Sequence, residues 1–173
     1  MILTIKKTTA ISFLLLSFFT HSSFSADAFN APQTKNGFGA MLFFTEDLGF
    51  PKKFHDGGGD IRLDATTHVT VGKPFLMIVN FFGPGLNGAK EPQLAMDIMI
   101  SKPDGTSYLN AEGAEVWAGK YNYSPSSFQL ANSIVKITID PGDPVGTYNV
   151  KVRIKDAIKE VEIALEKDFI VTK

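Results

Sequence analysis

The stretch "FHDGGGD", Phe54 to Asp60, gathers one histidine, two carboxylates and three consecutive glycines. Such residues serve metal or phosphate chemistry, so each possibility is tested by its ligand count. Calcium takes six to eight oxygens, spaced along a loop with one turn glycine. Only Asp56 and Asp60 are local here, which makes them weak candidates for a calcium contact. Zinc would need His55 plus two or three further ligands; past the N-terminal segment the other histidine is His68, and no cysteine exists. A phosphate cradle needs its glycines between strand and helix, with Lys and Ser/Thr at set offsets, and "GGGDIRLDA" lacks them. The expectation is a solvent-exposed loop that holds no metal tightly, in a protein without a cofactor.

Catalytic groupings are equally sparse. There is no G-x-S-x-G elbow. A glycosidase needs two carboxylates across a cleft; Asp97 and Glu115 are the pair that sequence alone offers. No acid, base and nucleophile cluster, so a non-enzymatic protein is expected. Aromatic residues are the remaining asset. Trp117 in "EVWAGKY" reads as core. Tyr121 and Tyr123 lie in the polar connector "KYNYSPSS". They are either lids over the end of the fold or exposed rings that contact a sugar or a protein.

The elements that must position these residues read as strands. In "TYNVKVRIK", Tyr148, Val150, Val152 and Ile154 alternate with Asn149, Lys151, Arg153 and Lys155, the pattern of a half-buried strand. "VEIALEKDFIV" alternates too, and "DAIK", Asp156 to Lys159, joins the two as a hairpin. That register sets Lys155 opposite Glu160 and Arg153 opposite Glu162, a solvated row of paired charges. "GFGAMLFFTE", "THVTV", "PFLMIVNFF", "LAMDIMIS" and "IVKITID" supply further strands, with "KPDGTS" as a turn. The only helical candidate is a turn near "EDLGFPKKF", limited by Pro51. About seven or eight short strands predict an all-β, antiparallel sandwich.

"IDPGDPVGTYNVKV" sharpens that expectation. A strand ends, a Pro/Gly/Asp turn crosses over, and a tyrosine opens the next strand. Immunoglobulin-like sandwiches use such a tyrosine at one corner, its hydroxyl bonding back to the turn. Tyr148 is placed for that role, with Asp143 and Gly146 shaping the turn. Together with "GFGAMLFFTED", "VTVGKPFLMIVNFF", "ISKPDGTSY" and "VWAGK", this G-D-P-x-G-T-Y corner resembles a group of short exported bacterial proteins of unknown function. The resemblance covers most of the chain beyond its N-terminal segment. It implies export and an immunoglobulin-like sandwich, and it carries over no catalytic residue.

Two strands break the alternation. "AMLFF" and "FLMIVNFF" are apolar on both faces, whereas a two-layer sandwich buries one. Leu42, Phe44, Ile78 and Phe82 therefore belong to a surface that needs a cover. The cover is either the chain itself, through "DAFNAPQTKNGF" or the segment around Leu48 and Phe54, or a partner or second copy.

The N-terminus reads as an address. Lys6 and Lys7, the apolar run "AISFLLLSFF" and the small residues of "HSSFSADA" have the three-part layout of a secretory signal peptide. The predicted organisation is a cleaved signal over 1–26, a flexible tail over 27–37 and one domain over 38–173. Without Lys6 and Lys7 the chain carries 15 cations against 18 acids, a net charge of −3. That gives no footprint for nucleic acid and no attraction to an anionic membrane. The predicted location is periplasmic or secreted, with no membrane insertion after cleavage. Three functions stay open: an exported binding or structural module, a small carbohydrate-active or other hydrolytic envelope enzyme, and an accessory subunit of a secretion or surface assembly. A protein partner, self-association or a carbohydrate would each suit the first.

Overall fold

A computed structural model describes residues 31–57 and 63–173. The predicted signal peptide, the start of the tail and Asp60 lie outside the described residues. Ten strands and one short helix follow in the order β1 (Gln33–Lys35), β2 (Phe38–Thr45), α1 (Phe50–Asp56), β3 (His68–Thr70), β4 (Pro74–Phe82), β5 (Leu94–Ser101), β6 (Ser107–Glu115), β7 (Gln129–Leu130), β8 (Val135–Thr138), β9 (Gly146–Asp156) and β10 (Val161–Thr172). One sheet runs β1-β2-β4, with β7 and β8 both paired to the far edge of β4; the other runs β3-β10-β9-β5-β6. Among the described residues all pairings are antiparallel except β3 with β10. Strands β2, β4 and β8 take the places of A, B and E in an immunoglobulin-like sandwich, and β5, β6, β9 and β10 those of C, C′, F and G.

The alternating residues of both sheets meet in one core. Phe44 lies edge-on to Phe75 and Phe169, at 6.2 and 5.4 Å between ring centres. Tyr148 stacks on Phe169 at 5.1 Å. The Tyr148 hydroxyl donates to the Pro144 carbonyl at 2.9 Å, closing the turn four residues upstream. Asp143 steadies the same corner through Lys102 Nζ, 2.8 Å away, and Gly146 carries a φ of +129° that disfavours any side chain. Tyr148→Phe removes one hydrogen bond and keeps the stacking. A loss of about 1 to 3 kcal/mol in chemical denaturation is expected; an unchanged midpoint would show that the hydroxyl contributes nothing to the corner.

The apolar second face of β2 and β4 is covered by the chain itself. Phe43, Leu76 and Ile78 form a satellite cluster with Phe50 and Leu130, and Met41, Phe54, Leu63 and Ile134 pack around it. Phe50 meets Phe43 at 5.7 Å. Of the two covers that the sequence left open, the chain itself supplies this one. Leu42 and Phe44 point into the inter-sheet core, Ile78 lies under α1, and Phe82 rests against Phe128 at 4.8 Å. The covering helix begins at Phe50 and carries Pro51 in its first turn, where a missing N–H costs nothing. Phe54, His55 and Asp56 accordingly belong to a helical turn rather than an open loop, and Gly57 ends it in a left-handed conformation.

Two further details differ from expectation. Gln33–Lys35 is a strand, not free tail, because Asn36 and Gly37 both take positive φ and make a two-residue hairpin turn. The β9–β10 register is shifted by two residues. Lys155 opposes Glu162 and Arg153 opposes Ala164, although Arg153 Nε still reaches Glu162 diagonally at 3.1 Å. The cause is Asp156, which ends β9 as a ladder residue while its side chain caps the turn.

Candidate functional site

One end of the sandwich is assembled from four connections: the Asn36–Gly37 turn, the loop 83–93 between β4 and β5, the long connection 116–128 between β6 and β7, and the β9–β10 turn 157–160. The loops 83–93 and 157–160 occupy the B–C and F–G positions, which in variable immunoglobulin domains carry the binding surface. Two of these connections are locked together by Asp156, which is 1% exposed, and Lys159 ties in a third. The Asp156 carboxylate accepts from Gly85 N at 2.6 Å, Ile158 N at 3.0 Å and Lys159 N at 2.9 Å. Lys159 Nζ donates to the carbonyls of Asn36 and Gly83, at 2.9 and 2.7 Å. The approach is so close at Gly83 that a Cβ would stand 2.2 Å from the Gly37 carbonyl oxygen.

The fourth connection lays aromatic rings over this frame. Phe81 of β4 meets Trp117 at 5.9 Å and Tyr121 at 6.1 Å. Trp117, Tyr121 and Tyr123 then contact one another at 5.4 to 5.7 Å. Tyr121 is buried, its hydroxyl near the Ser127 carbonyl at 3.3 Å, and burial pushes its ionisation above the usual tyrosine range. Tyr123 is 50% exposed. The Trp117 indole N–H is buried without a hydrogen-bond partner among the described residues. The end thus presents the accessible Tyr123 ring on a fixed aromatic floor. Leu86 and Phe128 are exposed at the same end, and the connection itself is rich in Tyr, Ser and Asn, the composition that antibody loops use for contact.

The other sequence candidates fall elsewhere. Asp56 pairs with Lys52 one helical turn away. Among the described residues no three His, Asp or Glu side chains converge as a metal site. Asp97 and Glu115 share the outer face of the second sheet but are individually occupied. Asp97 accepts from Lys155 Nζ at 2.6 Å and from Gly113 N at 3.0 Å; the Lys155 ammonium holds its carboxyl below the usual range. Glu115 accepts from Asn132 Nδ2 at 3.1 Å. A shallow depression of about 370 Å³ on this face is lined by Asp97, Met99, Lys151, Arg153 and Glu166, and its charges are paired across the strands: Lys151 with Glu166, Arg153 with Glu162 and Asp97 with Lys155. Sequence reasoning placed Tyr121 and Tyr123 correctly in a connector. It missed Asp156, assigned to a turn, and the loop 83–93. The run "GPGLNGAKEP" between two strong strands was the available signal.

No family model and no characterised protein matches the sequence. Among solved structures the chain is similar to a Niemann-Pick type C2 protein from Japanese carpenter ant (TM-score 0.39, 6% identity, 61% of this chain and 79% of that chain). It is also similar to a CARDB domain from Pyrococcus furiosus in complex with di-metal ions (TM-score 0.40, 15% identity, 84% and 92%). A third is a family 123 glycoside hydrolase from Clostridium perfringens (TM-score 0.42, 11% identity), of which this chain spans 27% while 79% of this chain is covered. The likeness is one of β-domain architecture alone; the ligands and activity of those proteins remain theirs. By its own strand order the protein is an immunoglobulin-like β-sandwich.

Proposed function

We propose that this protein is an exported, non-enzymatic binding module of the bacterial envelope that engages its ligand through the aromatic loop end. The carrying observation is Tyr123, half exposed on a floor of Trp117 and Tyr121. A ring whose neighbours are already packed offers contact area with little ordering cost. The engaged state of Asp97 and Glu115 supports binding rather than hydrolysis. Trp117 is the sole tryptophan of the chain, so its emission reports on this site directly. Soluble envelope fractions should change that emission in the wild type and leave Tyr123→Ala unchanged. Silence with every fraction would remove the reading.

Export has a separate test. The mature N-terminus is expected between Ala26 and Phe29, read as the intact mass of protein from the periplasmic fraction. A full-length species retained in the membrane would refute cleavage.

A further inference from the structure

Resting on the loop-end reading, we propose that the ligand is an acidic saccharide, with a sugar ring against Tyr123 and a carboxylate between Lys90 and Lys120. The two lysines come from different loops. A hydrogen bond from Tyr121 N to the Lys90 carbonyl, at 2.9 Å, draws those loops together beside the rings. Neither ammonium is ion-paired among the described residues, in contrast to Lys102, Lys151, Arg153 and Lys155. The acids at this end are Glu91, Glu115, Asp156 and Glu160; Asp156 is buried and already accepts three backbone donors. Glu91 is half-buried, Glu115 already holds Asn132, and Glu160 sits at the turn of the β9–β10 hairpin.

Lys90 carries a second signal. Its φ is +64°, a left-handed conformation that strains an ordinary residue and that glycine adopts freely. The backbone alone would favour glycine at this position, so the side chain is retained against a local preference. Asn36 and Glu160 are the other non-glycine residues of positive φ among the described residues, and both lie at the same end. Such strain concentrates where side chains contact ligands.

Ring geometry separates a sugar from a peptide. A pyranose offers a flat C–H face rimmed by hydroxyls, which matches a flat exposed ring whose neighbours along the chain, Asn122, Ser124 and Ser126, are polar and exposed. A peptide anchor inserts a side chain into a pocket. The ring cluster is closed beneath Tyr123, with Tyr121 only 3% exposed and the Trp117 nitrogen out of contact with solvent.

The probes are hexameric oligogalacturonate and an alginate oligomer of equal length, with the galacturonate methyl ester and hexaglutamate as comparators. Trp117 emission and calorimetry are read in parallel. At least one uronate should bind, and both Tyr123→Ala and Lys90→Gly should weaken it about tenfold or more, that is about 1.4 kcal/mol. Lys90→Gly should melt no lower than the wild type, since glycine relieves the left-handed strain; a loss of binding in a fully stable variant is what a structural role would not give. Failure of both uronates, equal binding of the methyl ester or of hexaglutamate, or undiminished binding by Lys90→Gly would overturn the proposal. If the uronates fail while another envelope fraction still shifts Trp117 emission, the saccharide assignment falls and the loop-end site stands.

Discussion

Asp156→Ala should cost about 3 kcal/mol or more and release the loop end as a unit. The substitution orphans three backbone donors at once, those of Gly85, Ile158 and Lys159. Each buried donor left without a partner costs about 1 to 3 kcal/mol. Water entering the opened site would reduce the sum without cancelling it. A domain of this size has about 5 to 15 kcal/mol of stability in total, so the variant is expected to unfold at much lower denaturant. Asp156→Asn keeps one acceptor oxygen and should lose less. Because Lys159 also reaches Asn36 and Gly83, hydrogen exchange should quicken at 83–93 and around Asn36 before the core strands yield. An unchanged denaturation midpoint in Asp156→Ala would mean that the loops are held by packing alone.

Phe44→Ala is expected to be of similar size for a different reason. Phe44 is fully buried between the sheets against Phe75 and Phe169, and truncation of such a ring costs about 3 to 5 kcal/mol through lost burial and the cavity left behind. Phe82→Ala is the informative control. Phe82 is half-buried, with Phe128 as its ring partner, so it should lose distinctly less. Light scattering should show the same mass for wild type and Phe82→Ala, because α1 already covers the outer face of β2 and β4. Loss of self-association in Phe82→Ala with little change in stability would restore the idea of a docking patch there.

The sequence was most legible where one face of a strand is wet. Alternation in β9 and β10 placed Tyr148, Val150, Val152, Ile154, Val161, Ile163 and Leu165 inward, and all are buried; the buried Asp156 and Lys167 are polar residues that the pattern could not anticipate. It also showed that β2 and β4 need two covers, but periodicity does not say what the second cover is. That answer lay in α1, where Pro51 was taken as a helix limit although a proline in the first turn is compatible with a helix start. Asn36–Gly37 was the strongest hairpin signal in the chain and lay inside a segment assigned to a tail. The loop end was only half legible. Tyr121 and Tyr123 stood out by composition. Their floor depends on Phe81 and Trp117, 36 positions apart in the sequence. Asp156 resisted reading because a carboxylate in a turn is usually solvated; its burial follows from Gly85 arriving from 71 residues away.

The central claim is that the protein binds through its loop end, and a hydrogen-exchange footprint tests it over the whole molecule at once. Exchange is followed with and without the envelope fraction that changes Trp117 emission. The account predicts slower exchange in 83–93 and 116–128, with the outer face of β5, β9 and β10 unaltered. Protection concentrated around Met99 and Lys151 on that outer face, with the loop end unchanged, would contradict it.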